Sequence, residues 1–535
     1  MHALAETMMQ TTAGKLLASL AALAIAAAMM SCSTLRKDFV RSSSVASPVS
    51  FDTPTARYVQ DEVTQHPDVS GFRLLTNNTN ALMSRIVLAD HAAHSIDLQT
   101  YIFRNDTTGR LIAGRLLDAA DRGVRVRLLL DDVVISGEDR FLDALVAHPN
   151  IQVRLFNPFR TRSPSLPSKI LQFVLEGARL NRRMHNKSFI VDGVIAVMGG
   201  RNIGDAYFDA SDDSNFRDMD VIAIGPVVPA ASSSFDAYWN SDAAYPVEAF
   251  RGTRPTANDL ARLRESLKRN ARSFTESDYA QAANEQLPYG PTADRRGRWF
   301  WGSASLIADQ PEKASSGKDD PSLRIGSQFR EILVAAQKQV LLVSPYFVPG
   351  KSGTRFLLNL VDHGVAVSVL TNSLAATDEP AAHAGYAHYR RELLAGKVHL
   401  FELRPASDDD QETTARGTSS GVSLHAKAAV IDARYTFVGS MNMDRRSLLF
   451  NTEMGVIVDC PELAAAVTRF FDQASSPANA YRVELKPPAH GGSAQLVWQL
   501  EAHGQVQELT HEPQATLHRR IQVTLFRLLP IEDLL

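Results

Sequence analysis

With 535 residues, 44% of them apolar and 21% charged, the chain is long enough for two or three domains with large cores and too apolar to be disordered. A formal net charge of -3 and a pI near 6.6 argue against a dedicated nucleic-acid binder, so no nucleic acid is expected as a partner. The only cysteines are Cys32 and Cys460, which excludes a disulfide scaffold and a cysteine metal site, and neither a metal nor a cofactor is called for.

Lys15 precedes an apolar run from Leu16 to Met30. At about 1.5 Å per residue that run is shorter than a bilayer core of about 30 Å, so a signal h-region fits better than a permanent span. It ends at Met29-Met30-Ser31-Cys32-Ser33, which resembles a bacterial lipoprotein cleavage site with Cys32 as the lipidated residue. An uncleaved anchor and a cytoplasmic protein are the alternatives, and Glu6 leaves room for a start at Met8 or Met9. A leader over 1–32 places the protein in a bacterial cell envelope, membrane-associated, lipid-anchored and periplasm-facing. Ser, Pro and Thr dominate from Arg36 to about Asp68, so 33–75 reads as a linker to the first domain.

Residues 76–250 are expected to form that domain. Asn80 to His94 reads as helix, Ser95 to Phe103 as strand, Gly109 to Arg122 as helix, Val124 to Leu130 as strand and Ile151 to Phe156 as strand. Leu166, Ile170, Phe173 and Val174 recur at helical spacing, with Lys169, Arg179, Arg182 and Arg183 among or after them. That pattern suits a basic amphipathic helix at a cleft mouth, or a helix packed on its own domain. Arg182 and Arg183 lie close enough to the motif that follows to attract an anionic headgroup. The motif is His185-Asn186-Lys187-Ser188-Phe189-Ile190-Val191-Asp192, followed by Gly199-Gly200-Arg201-Asn202.

Residues 251–322 read as an irregular, charged connection. Trp299-Phe300-Trp301 stand there beside Arg295, Arg296 and Arg298, a cluster that suits a membrane interface or a loop packed over a domain junction. From 323 to 535 the order of the first half returns: helix Ser327 to Gln337, strand Val340 to Val348, helix Phe356 to His363, strand Val365 to Thr371 and strand Val398 to Leu403. A second motif follows as His425-Ala426-Lys427-Ala428-Ala429-Val430-Ile431-Asp432, then Gly439-Ser440-Met441-Asn442. Asp121-Arg122-Gly123-Val124 is echoed by Asp362-His363-Gly364-Val365, and Tyr101 by Tyr346, at a near-constant offset of about 240 residues. Two similar α/β halves, each a mixed sheet flanked by helices and sharing one active-site cleft, are the fold class this implies. Cys460 reads as a small buried residue, and Leu496-Val497-Trp498 and Gln522 to Phe526 as added strands without catalytic residues.

In a strand, residues two apart share a face, so His185 stands with Lys187 and His425 with Lys427. The apolar runs behind them read as strands buried on both faces. Gly200 and Ser440 are small enough to let a substrate approach the backbone, and Asn202 and Asn442 are suited to cap a helix or donate to a phosphate oxygen. These residue types suit metal-free phosphoryl transfer: one imidazole attacks phosphorus, the other protonates the leaving alcohol, and the lysines neutralise the developing charge. Each imidazole then needs a carboxylate to set its tautomer. Glu453 is the candidate for His425, and Asp218 for His185 with Asp220 as substitute.

Two intact H-x-K-x-x-x-x-D motifs resemble the signature of the phospholipase D superfamily. Leu180 to Lys187, Gly199 to Asp205, Ile224-Gly225-Pro226, Tyr101-Ile102-Phe103, Gly439 to Ser447 and Leu529-Pro530-Ile531-Glu532 resemble the bacterial cardiolipin synthase C group, over roughly Thr76 to Leu535. The resemblance implies a membrane-surface enzyme transferring a phosphatidyl group to phosphatidylglycerol from phosphatidylethanolamine or a second phosphatidylglycerol. It also implies that His185 attacks and His425 is acid and then base, with Lys187, Asp192, Asn202, Lys427, Asp432 and Asn442 completing the motifs. Water as acceptor would instead make a hydrolase of phospholipids or another phosphodiester, and a non-catalytic lipid-binding envelope protein is the remote alternative.

Overall fold

The computed structural model describes residues 41–135, 139–159, 172, 175–250, 255–277, 279–280, 299–315, 320–405, 421–487, 494–502 and 505–528. Outside them lie the leader with Cys32, the apolar residues Leu166, Ile170, Phe173 and Val174 with Lys169, the arginines Arg295, Arg296 and Arg298, and the tail from Leu529.

The first half runs α1 (Pro54–Gln65), β1 (Ser70–Leu75), α2 (Asn78–His91), β2 (Ser95–Thr100), α3 (Thr107–Asp121), β3 (Arg125–Asp131), β4 (Ile151–Phe156), β5 (Ser188–Val191), β6 (Ile195–Gly199), β7 (Ser214–Arg217), β8 (Asp220–Ile224), α4 (Val227–Trp239) and β9 (Ala244–Pro246). Its sheet has the order β9-β4-β3-β2-β5-β6-β8-β1, parallel across β2, β3 and β4 and antiparallel elsewhere. After the connection come α5 (Ala257–Thr275) and β10 (Phe300–Ala308). The second half runs α6 (Ile325–Val334), β11 (Gln339–Val343), α7 (Gly350–Asp362), β12 (Ala366–Asn372), α8 (Pro380–Ala395), β13 (His399–Leu403), β14 (Gly421–Leu424), β15 (Ala428–Ile431), β16 (Tyr435–Gly439), α9 (Arg445–Leu449), β17 (Met454–Asp459), α10 (Pro461–Ala474), β18 (Ala480–Lys486), β19 (Gln495–Ala502), β20 (Gln505–Leu509) and α11 (Leu517–Leu528). Its sheet repeats the first, β18-β13-β12-β11-β15-β16-β17, with β19 and β20 added beyond β18.

Both faces of each sheet are apolar, as the unbroken hydrophobic runs require. Along β6, Ile195 and Val197 face the core under α2 and α3, while Ala196 and Met198 face a second core with α4. Along β15, Ala428 and Val430 enter that same second core, and Ala429 and Ile431 a third. One apolar layer therefore belongs to both halves and locks them together. Each fully buried Val, Leu, Ile, Phe or Met side chain in it contributes about 1.5–3 kcal/mol of transfer free energy.

The structure differs from three sequence expectations. The linker is part of the first domain from Arg41 on: Arg41 pairs with Asp242 at 2.6 Å, Ala46 N donates to Asp236 at 2.6 Å, and β1 is an inner strand. The connection expected to be irregular holds α5, begun by a reciprocal Thr256–Asp259 capping box. It also holds β10, which pairs with β1 through Phe300 to Gly302 and with β17 through Ser303 to Ala308, joining the two sheets into one. In the aromatic triplet there, Trp299 is 8% exposed beneath the Arg73 guanidinium and Trp301 stacks on His66 at 3.9 Å, so both serve internal packing. Finally, Gln522 to Phe526 is helix, not strand: Val523 and Phe526, three apart, face the core, and a five-residue alternation cannot outvote that spacing.

Candidate active site

His185 and His425 stand at the seam between the halves, just before β5 and β15, at the carboxyl ends of the parallel strands. Cross-half backbone bonds hold each of them. His185 N donates to Thr452 O and Thr452 N to Arg183 O, both at 2.8 Å. On the other side β14 pairs in parallel with β7, and His425 N donates to Arg217 O at 2.8 Å. The segment after each motif therefore runs beside the histidine of the other motif.

This exchanges the expected carboxylates. His185 Nδ1 lies 2.8 Å from Glu453, and His425 Nδ1 lies 2.6 Å from Asp218. The expectation that each histidine is served by its own half is corrected by the geometry: both carboxylates are fully buried and cross the seam. Asp220, the substitute for His185, instead pairs with Arg85 at 2.8 Å and Arg201 at 3.1 Å inside the first half.

The small residues make room for these carboxylates. A Cβ on Gly200 would come within 2.2 Å of Asp218 Oδ1. Ser440 Oγ donates to Glu453 Oε2 at 2.5 Å, and Ser440 O lies 3.1 Å from His185 Nδ1. Close approach is needed there by an orienting carboxylate.

Lys187 Nζ donates to His185 O at 2.7 Å, and Lys427 Nζ to His425 O at 2.5 Å. Tyr101 and Tyr346, the echoed pair, each form a wall beside one lysine, with ring centroids 5.6 Å from Lys187 Nζ and 6.0 Å from Lys427 Nζ. Tyr101 also meets the His185 ring edge-on at 5.0 Å, while Tyr207 and Phe216 flank His425 at 5.2 and 5.0 Å. Asn202 donates to the Tyr207 hydroxyl at 2.8 Å and accepts from Ile102 N at 3.1 Å, so it braces the wall. Asn442 is buried, with Oδ1 unpartnered among the described residues.

Burial and the two ammonium groups push both imidazoles well below their ordinary pKa. Burial also lowers Lys187 to about 7 and Lys427 to about 8. It raises Glu453 to about 7 and raises Asp218. The free site thus holds neutral imidazoles with Nδ1 tied to a carboxylate and Nε2 left for the cleft. An anion bound there would offset the lysine charges and favour protonation of one ring.

Several expected site residues are elsewhere. Asp192 accepts from Ala93 N, His94 N, Ser95 N and Thr55 Oγ1, and Asp432 from Gln337 N, Lys338 N and Gln339 N. Each ends the strand opposite its histidine and staples the start of the neighbouring strand, which corrects a catalytic placement. Arg183 is 1% exposed: its Nε donates to Leu180 O and its Nη1 to Asn157 O beside Asp131, while Nη2 has no partner among the described residues. Arg182 donates to Lys313 O at 2.8 Å.

Residues that sequence reading missed support Glu453. Asp309 Oδ2 accepts from Glu453 N at 2.7 Å and pairs with Lys313 at 2.7 Å, all nearly fully buried. They lie just after β10, which holds beside β17 the place β1 holds beside β8, but no residue of that segment echoes the first half closely enough to mark them. Among the described residues, no three His, Cys, Asp or Glu side chains group as a metal site, and no helix is long and apolar enough to cross a membrane.

A family model described as cardiolipin synthase, PLD-like domain, matches residues 86–239 and again 329–475, one match per half. The chain is 38% identical over 474 residues to cardiolipin synthase C of Escherichia coli (strain K12), covering 88% of this chain and 97% of that protein. It is 25% identical over 386 residues to a cardiolipin synthase of Staphylococcus aureus (strain Mu50 / ATCC 700699), covering 71% of this chain and 62% of that one. A crystal structure of phosphatidylserine synthase from Haemophilus influenzae Rd KW20 shares the fold, with a TM-score of 0.54 at 13% identity, covering 90% of this chain and 100% of that one.

Proposed function

The chain belongs to the cardiolipin synthase PLD-like domain family, and on that premise we propose that it is a phosphatidyltransferase moving a phosphatidyl group to phosphatidylglycerol. The observation that carries this is the pair of buried imidazoles, each bound at Nδ1 by a carboxylate from the opposite half and each with the lysine of its own motif beside it. In the first step the lone pair of one Nε2 forms an N–P bond. The P–O bond to the leaving alcohol breaks, and that oxygen takes the proton from the other Nε2. In the second step the phosphatidylglycerol hydroxyl gives its proton back to that nitrogen and attacks phosphorus, and the N–P bond breaks. Lys187 and Lys427 neutralise the non-bridging oxygens in both steps. His185 is the nucleophile in this reading and His425 the acid and base. The leader ending at Cys32 would tether the enzyme to a periplasm-facing membrane surface.

The test is mass spectrometry of products from purified protein given phosphatidylglycerol vesicles, with and without phosphatidylethanolamine. Cardiolipin is the expected product, and dependence on phosphatidylethanolamine names the donor. Phosphatidic acid alone would mean water is the acceptor. In His425→Ala protein a phosphatidyl adduct is expected on the peptide holding His185. An adduct on His425 in His185→Ala protein, with none in the first, would reverse the assignment.

A further inference from the structure

The last described helix, α11, is amphipathic in an unusual sense. Its inner face packs through Val523 and Phe526 against Leu374, Ala384 and Ala515. Its outer face presents Leu517, Ile521 and Leu525, which are 74%, 50% and 57% exposed. Steps of four residues keep these three on one stripe about 12 Å long. No described residue covers it. Leu517–Leu528 carries Arg519, Arg520 and Arg527 and no Asp or Glu; Arg527 is exposed, while Arg520 Nη2 donates to Glu512 O at 3.0 Å.

The position of α11 is tied to the cleft. Arg519 Nη1 donates to Leu374 O at 2.8 Å, Ala375 O at 3.1 Å and Thr377 O at 2.6 Å. The next residue, Asp378, accepts from the Tyr346 hydroxyl at 2.8 Å, and the Tyr346 ring forms the wall beside Lys427. The helix is thus bolted to the loop that forms the Lys427 side of the mouth.

We propose that α11 is a membrane-docking element: its Leu517–Ile521–Leu525 stripe enters an anionic lipid surface and sets the cleft mouth against it. This rests on the phosphatidyltransferase reading, since a lipid headgroup must reach a site whose histidines are 6% and 5% exposed. The choice of a bilayer over a protein partner follows from charge. A helix with three arginines and no carboxylate, bearing a narrow apolar stripe, complements phosphatidylglycerol, and its net positive charge opposes the same helix on a second copy.

Two readouts test it on the full chain. Ile521→Cys in a Cys32→Ser background, labelled with an environment-sensitive fluorophore while Cys460 stays buried, should shift to the blue on phosphatidylglycerol vesicles and not on phosphatidylcholine vesicles. The triple variant Leu517→Ser, Ile521→Ser, Leu525→Ser should lose ~10-fold or more in kcat/KM on phosphatidylglycerol vesicles, as expected for removing interfacial apolar burial. On monomeric dihexanoyl phosphatidylglycerol it should match the parent within about twofold, because the chemistry is untouched. The fluorescence does not depend on turnover. A parent protein inactive on both lipids would therefore defeat the functional reading while the shift still reports the surface. No blue shift on anionic vesicles, equal losses on both substrates, or a change confined to a dimer seen by light scattering would overturn the proposal.

Discussion

Crossed carboxylates make an asymmetric prediction. In Glu453→Gln the side chain keeps its shape, and His185 Nδ1 still has Ser440 O at 3.1 Å as a second acceptor. The Nδ1–H tautomer therefore survives, and what is lost is a charge-assisted hydrogen bond of about 1.5–3 kcal/mol, or roughly 10- to 150-fold in rate. In Asp218→Asn nothing holds the tautomer. The other neighbour of His425 Nδ1 is Lys427 Nζ at 3.0 Å, a donor, and it favours the ring with its proton on Nε2. Loss of the correct tautomer costs on the order of 10⁴-fold. The assay is cardiolipin formation on vesicles together with adduct formation on His185 in a single turnover. Glu453→Gln should slow the adduct, and in a His185→Ala background it should cost nothing further, because the pair acts as a unit. If Glu453→Gln added its full penalty to His185→Ala and none to His425→Ala, the cross-half pairing would be wrong.

Three further outcomes are expected. The plot of kcat/KM against pH should be bell-shaped: Lys187 near 7 and Lys427 near 8 lose their charge as pH rises, and Glu453 near 7 loses its charge as pH falls, so activity declines on both sides of neutrality. A profile flat into alkali would mean the lysine charges are not used. Gly200→Ala should cost ~10²-fold or more in kcat, because its Cβ would displace Asp218 from His425, and normal turnover would refute that account. Asp192→Asn should lower stability by about 1–3 kcal/mol, read in denaturant unfolding, with kcat unchanged, because the carboxylate holds strand-start amides far from the cleft. A large loss of kcat in folded protein would return Asp192 to the catalytic group.

The local sequence determined much of this protein. Doubled His-x-Lys motifs, the echo of Tyr101 in Tyr346, and hydrophobic periods along Ile151–Phe156 or Ser95–Thr100 are short-range patterns, and they specify strands, faces and the repeat. They also identified Asp218 and Glu453 as the carboxylates involved. What they could not specify is which histidine each one serves, since that depends on how two sheets pack across a shared core, and spacing along one chain favours the nearer partner. The same limit hid β10, whose Ser303 and Ser305 weaken its strand pattern although it joins both sheets, and the Asp309–Lys313 pair beneath Glu453. Arg183 and Asp192 looked available for chemistry because charged residues beside a motif usually face solvent or substrate. Only the fold, by burying them against backbone groups and carboxylates, committed them to holding the scaffold in place.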